Sequence, residues 1–446
     1  MSLQLRSRSG PLTTAVTRDL DGRAVILVTV TPTDAQPGLT TADAVTLAEA
    51  IRSARDQRLP LVAVLSMNGV AIDEGLDASD GWARAARELV AASGIIPLLM
   101  VVHGPLTSGP ALLLALADVV VFTADACAFV TGPRVVEAYT GEPITSAALG
   151  GINAHHRSTG LASMVVDDLD AALDACSAVL AHLPDHVDLP APRIPTDDPA
   201  DRPTPEAGDL LPASPTGSYD VRKVVEVLAD DGQFLELREA WAPNLVTGFA
   251  SVAGHSVGVV ANQTQALAGA IDIAAAQKGA RFVAMCDALN VPLLTLVDTS
   301  GFLPGKDLEW RGMIRHGAQL AFAYARATVP RICLILRKSY GGAYIVMDSR
   351  YMGNDLMLAW PSAEVAVMGA KGAVEILHRK ASPEERAELE KAYEAELLTP
   401  WVAAERASIS AVVTPADTRR ELAAALDLLA TKRERLRPRR HDNTPL

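Results

Sequence analysis

The chain has 446 residues, 49% hydrophobic and 21% charged, the balance of a core-forming globular protein with room for two domains. That excludes a wholly disordered chain. A formal net charge of −13 and an aromatic content of 4% argue against the two devices that grip nucleic acid, a basic face for phosphates and a stacking platform for bases.

The first residues, MSLQLRSRSG, carry basic side chains with no apolar stretch behind them, so no signal peptide is expected. No apolar run reaches the length of a bilayer span; the best, 111–122, is interrupted by Asp118. Runs of strand length follow at 24–30, 61–67 and 95–102, with helical stretches at 43–58 and 80–92 between them. Residues 184–216, rich in proline and acid, read as a semi-extended linker. Beyond it, strands are expected at 257–262, 292–298 and 331–337, and helices at 266–289 and 312–327. The end, 433–446, is a basic, fraying tail. The expected organisation is therefore a domain over 1–183, a linker over 184–216, a domain over 217–432 and the tail. Strands alternating with helices make both domains α/β with largely parallel sheets. Cys127, Cys176, Cys286 and Cys333 lie singly in apolar runs and fit no zinc spacing; they read as reduced, buried thiols of a cytoplasmic protein with no metal and no membrane.

The two halves repeat each other. Pro60 precedes a strand ending at Gly69, and Pro292 one ending at Gly301. Pro97 precedes a strand leading to Gly109, and Pro330 one leading to Gly342. The offsets between halves are 232, 232, 233 and 233, and such a matched series points to duplication. Each half then has a strand turning through glycine into a helix, VTGPRVVEA (130–138) and VMGAKGAVE (367–375).

The repeat marks one place twice. A buried strand runs through small residues into a helix, as HGPLTSGPALLLALAD in the first half and RKSYGGAYIVMDS in the second. Small residues allow a ligand carbonyl to approach the backbone, and the amides of a helix N-terminus face outward with the dipole behind them. Two such N–H groups make an oxyanion hole. One turn alone reads better as a tight strand–helix connection, by about two to one; two at matched positions favour function.

The stretches 261–305 (ANQTQALAGAIDIAAAQKGARFVAMCDALNVPLLTLVDTSGFLPG) and 337–380 (RKSYGGAYIVMDSRYMGNDLMLAWPSAEVAVMGAKGAVEILHRK) resemble the carboxyltransferase (beta) subunit of biotin-dependent acyl-CoA carboxylases, the propionyl-CoA and acetyl-CoA carboxylase β-chain family. The first half is similar through SGIIPLLMVVHGP, FVTGPRVVEAYTGEPIT and LGGINAHH, and the resemblance covers about residues 18 to 430. It implies two tandem, duplicated crotonase-like (ClpP/crotonase) domains. It implies transfer of a carboxyl group from carboxybiotin to the α-carbon of an acyl-CoA. Carboxybiotin releases CO2, the biotin ureido anion removes the α-proton, and the enolate captures the CO2. Two anion-stabilising pockets are then needed, one for the thioester oxygen and one for the biotin carbonyl, and no protein acid or base. It also implies a homo-oligomer, commonly a hexamer, whose site halves come from different subunits.

By that resemblance Gly342 and Ala343 hold the biotin carbonyl, and Tyr344 and Ile345 lie beside the substrate. An isoleucine at 345 resembles acetyl-CoA-type or broad enzymes, where propionyl-CoA enzymes carry aspartate; it is also compatible with a core position, as Lys338 is with a surface charge. The first pocket departs from the family's two glycines and alanine, reading Ser108, Gly109, Pro110. Pro110 has no N–H, so the hole is expected to use the amides of Ser108 and Gly109. Gly104 and Pro110 are counted with the acyl site, as is Ala71, which stands where the family has an arginine. His155 and His156 read as local structure, His316 and His378 as packing or surface residues, and Asp298 as ordering its loop. The chain has no Met-Lys-Met biotin-attachment motif, so carboxybiotin is expected on a partner biotin carboxylase and biotin carboxyl carrier. The alternatives are a biotin-independent decarboxylase or acyltransferase acting on a malonyl-type thioester, and a non-catalytic scaffold subunit.

Overall fold

The computed structural model describes residues 4–6, 13–31, 38–214, 216–438 and 443–445. It divides into two units, the first holding residues 1–190 with 237–241 and 288–290, the second the remainder.

The first unit is built on one sheet. Its strands are β1 (Gln4–Arg6), β2 (Thr13–Leu20), β3 (Arg23–Val30), β4 (Leu61–Asn68), β5 (Leu98–Thr107), β6 (Val119–Thr123), β7 (Cys127–Phe129) and β8 (Met164–Val166). The order is β1-β2-β3-β4-β5-β6-β8, with β7 also paired to β5. From β3 onward the pairs are parallel, as the helices between the strands require. Helices Thr41–Gln57 and Leu76–Ala92 bury Leu47, Ile51 and Leu89 against Leu61, Leu65 and Leu98. Thr40 starts the first of these helices by accepting from the Asp43 amide at 3.1 Å.

The second unit repeats the plan with β9 (Phe234–Leu237), β10 (Leu245–Val252), β11 (His255–Asn262), β12 (Leu293–Thr299), β13 (Arg331–Tyr340), β14 (Leu356–Ala359), β15 (Glu364–Ala366) and β16 (Ala411–Val412), in the order β16-β14-β13-β12-β11-β10-β9 with β15 on β13. The correspondence extends to single bonds. An isolated bridge joins Leu39 to Val70 in one unit and Ile271 to Phe302 in the other. Register shifts fall between Leu65 and Met67 and between Val297 and Thr299. Each central strand begins with its amide on an aspartate, Leu98 on Asp118 and Arg331 on Asp355, both at 2.9 Å. Asp118, the charge that interrupts the most apolar run, is therefore a strand anchor.

Two of the elements that differ from the pattern reading have a local cause. The helix expected over 266–289 starts only at Ile273. Before it the chain is pinned as an extended bridge, the Ile271 amide on the Gly301 carbonyl and the Leu303 amide on the Ile271 carbonyl, which overrides the helical propensity of its alanines. The strand expected from Ile95 starts at Leu98, after Pro97.

From Ala191 onward the proline-rich stretch is part of the second unit. Thr204 and Ala207 are buried. The Thr204 amide and hydroxyl donate to the carbonyls of Ala416 and Pro415 at 3.0 and 2.7 Å. The buried Arg419 donates to the carbonyls of Pro199, Asp198 and Leu228 and to Asp230. Carbonyls of irregular chain and of a helix end are satisfied there by one guanidinium.

Candidate active site

In the second unit, β13 delivers Tyr340 to a turn made by Gly341 at φ +61, and a short helix, Gly341–Val346, leaves it. No side chain caps this helix, so its first amides are open. A cavity of about 540 Å3 lies before it, lined by Gly341, Gly342, Tyr344 and Ile345 from the turn, Val365 and Val367 from the β15 side, and Tyr393, Leu397 and Arg406 from the chain beyond. Ile345 is 40% exposed, which settles it as a cavity residue rather than core. The Tyr344 hydroxyl has no hydrogen-bond partner among the described residues. Burial pushes its pKa up to about 12, so it stays a neutral donor. The helix N-terminus and Arg406 bias this apolar cavity toward negative charge.

The turn is held from below. Asp298, at the end of β12, accepts from the Tyr219 hydroxyl at 2.9 Å, Arg337 Nε at 3.0 Å and the Lys338 amide at 3.1 Å. Its carboxyl pKa is raised by burial, but its acceptors are all committed to β13 and Tyr219; it orders the strand end, as its sequence context indicated. Beyond the helix, Asp348 meets Arg331 at 2.7 Å and Asn354 at 2.8 Å. Both members of the ion pair are fully buried, and together they fasten the end of the short helix to the start of β13.

In the first unit, β5 ends at Thr107 and Ser108 makes the same turn at φ +63, ψ −153, opening the 3-10 helix Gly109–Leu116. No side chain caps it. One expectation is corrected here. The Ser108 amide is bound to the Phe129 carbonyl of β7 at 2.9 Å, so it is not free for an oxyanion. Pro110 has none to give, and the Ala111 amide returns to the Ser108 carbonyl at 3.0 Å. Gly109 keeps the one open amide of this turn.

Gly104 and Ala71 are not at the turn surface. Gly104 is buried in the irregular part of β5 at φ +85, where an added Cβ would come within 3.0 Å of Ser66 Oγ. Ala71 is 5% exposed and its amide donates to the Leu39 carbonyl at 2.9 Å, so it serves the bridge beside the turn. His155 spans Thr159 Oγ1 at 3.0 Å and the Ala128 carbonyl at 2.8 Å, a structural role. His316 contacts Gln277 and Gln319 on neighbouring helical faces, and His378 is exposed at a helix end. Among the described residues no cluster of three or more His, Cys, Asp or Glu is arranged to hold a metal ion, and no helix is long and apolar enough to cross a membrane. Sequence reasoning missed Tyr393, Leu397 and Arg406, which come from helical segments far along the chain with no motif of their own, and Trp82, whose ring lies against Gly109.

The carboxyl transferase domain family matches residues 18–444. The chain belongs to the carboxyltransferase family. It is 42% identical over 406 residues to the propionyl-CoA carboxylase beta chain of Saccharopolyspora erythraea, covering 87% of this chain and 74% of that one. It is 41% identical over 405 residues to the biotin-dependent acetyl-/propionyl-coenzyme A carboxylase beta5 subunit of Mycobacterium leprae, with the same coverage. The crystal structure of transcarboxylase 12S, a hexamer assembly with methylmalonyl-coenzyme A and methylmalonic acid bound, superposes with a TM-score of 0.96 at 36% identity, over 100% of this chain and 90% of that one. The duplicated crotonase-like carboxyltransferase fold is thereby established for this carboxyltransferase, as is its place among the biotin-dependent acyl-CoA carboxylases.

Proposed function

We propose that this carboxyltransferase moves a carboxyl group from carboxybiotin, carried by a partner protein, to the α-carbon of an acyl-CoA, with backbone amides stabilising the charge that develops. The observation that carries the reading is the pair of matched turns, φ +63 at Ser108 and φ +61 at Gly341, each opening an uncapped helix after the central strand of its sheet. Bound carboxybiotin supplies the CO2 and, once relieved of it, a ureido nitrogen able to take up the α-proton. The residues of the second turn fit that group: Gly342 and Ala343 offer two adjacent amides to a ureido oxygen, beside an apolar cavity with a neutral phenol. Removing one donor of such a hole costs about 3 kcal/mol of transition-state stabilisation.

The first turn offers the Gly109 amide to the thioester oxygen as the enolate forms. Ile345 narrows the cavity with a branched hydrocarbon and sets which acyl chains enter. A biotin carboxylase and a biotin carrier are the partners, a homo-oligomer, a hexamer as in the transcarboxylase 12S structure, is the working state, and the cytoplasm is the compartment. The test is reconstitution of the full chain with a biotin carboxylase, a biotinylated carrier, ATP, bicarbonate and acetyl-, propionyl- and longer acyl-CoAs. Carrier-dependent carboxylation of at least one thioester is expected. Decarboxylation of a malonyl-type thioester without any carrier, or no turnover with any thioester, overturns the reading.

A further inference from the structure

The first turn has one open amide where the second has two, and the structure places another donor beside it. We propose that the indole N–H of Trp82 replaces the amide missing at Pro110, so that the thioester oxygen is held by Gly109 N–H and Trp82 Nε1–H together. The inference rests on the acyl-CoA reading above.

Trp82 lies on helix Leu76–Ala92, half-buried and packed on the core of the first unit. A Cβ built on Gly109 would stand 2.9 Å from both Nε1 and Cε2 of its ring. Ordinary bond lengths put the Gly109 nitrogen about 2.5 Å from that Cβ, so the two nitrogens are within about 5.4 Å of each other. That spacing leaves room for one oxygen about 2.9 Å from each nitrogen. The indole nitrogen is a donor only. Trp82 makes no hydrogen bond to any other described residue. Its donor is therefore available at the edge of the turn.

The twin turn supplies the control. There the open face of Gly342 is covered by the Phe302 ring, 3.3 Å from an added Cβ. A phenyl ring has no N–H to give, and that turn keeps the amide of Ala343. The indole N–H is found where the backbone donor is lost; the ring in the matching position against Gly342, where the backbone donor remains, has none. Gly109 is also explained: any side chain there would strike the indole.

The test uses the full chain in the reconstituted carboxylation assay, comparing wild type, Trp82→Phe, Pro110→Ala and the double variant. Trp82→Phe is expected to lower kcat by 30- to 100-fold with a smaller change in KM for acyl-CoA. Pro110→Ala in that background restores a backbone amide and is expected to recover at least tenfold. A purely structural role for Trp82 predicts no such recovery. If Trp82→Phe folds poorly, 3-benzothienylalanine at position 82 keeps the ring shape and deletes only the N–H. A kcat within threefold of wild type for the N–H-deleted ring, or no recovery with Pro110→Ala, overturns the assignment. An inactive wild type instead overturns the acyl-CoA reading.

Discussion

Ser108 and Gly341 stand at matching positions with positive φ, +63 and +61, each joining the central strand of its unit to the helix that follows. Glycine adopts this conformation freely; serine at φ +63, ψ −153 does so under strain of about 1–3 kcal/mol. Ser108→Gly is therefore expected to stabilise the first unit. Part of the relief is returned because glycine loses more chain entropy on folding, leaving a net gain of about 1 kcal/mol. Denaturant unfolding measures it, and a lower midpoint would contradict the strain.

Ala343→Pro tests the second turn. Proline at this depth of the first helical turn deletes an N–H without breaking an intrahelical bond, and Pro110 shows that the twin turn accommodates it. Turnover is expected to fall by about 100-fold, the equivalent of one lost donor, while the thermal midpoint moves by only a few degrees. Steady-state kinetics beside calorimetry separates the two; unchanged kcat would remove Ala343 from the site.

The Arg331–Asp348 pair carries a larger stability effect. Asp348→Ala leaves a buried guanidinium without its carboxylate and is expected to cost about 3–5 kcal/mol. Replacing both partners with hydrocarbon, Arg331→Met with Asp348→Leu, is expected to cost less than the single change. A double-mutant cycle by urea unfolding checks this ordering. Because Asp348 also fastens the end of the Gly341–Val346 helix, the single variant should lose turnover as well.

His182 is expected to make the fold acid-sensitive. Burial lowers its pKa from 6.5 to about 4, so the folded state holds the ring neutral where the unfolded chain would take up a proton. The stabilisation is complete above pH 6.5 and is lost as pH falls toward 4, by about 3 kcal/mol at most. His182→Gln should flatten the unfolding free energy over that window. An unchanged pH profile would show that the ring is protonated in the fold.

The duplication and the sheets could be read from the chain because proline and glycine mark strand starts and turns at fixed intervals, and those marks are local. Pro97 and Pro330 stand just before β5 and β13, and Gly109 and Gly342 fall in the helices that follow those strands. What could not be read was long-range. The commitment of the Ser108 amide depends on where β7 lies, and the helix lost before Ile273 depends on a bridge to the segment after β12. The far wall of the second cavity, Tyr393, Leu397 and Arg406, is contributed by segments with no spacing signal. The indole against Gly109 is separated from it by 27 positions and all of β5.

A peptide donor comes with the main chain whatever side chain is attached, so the polarity of the second turn survives most point mutations around it. Pro110 removes that safeguard from the first turn. The reach of that turn toward an incoming oxygen is set by the side chains crowding it, and is therefore open to revision, one codon at a time, in a way its counterpart is not.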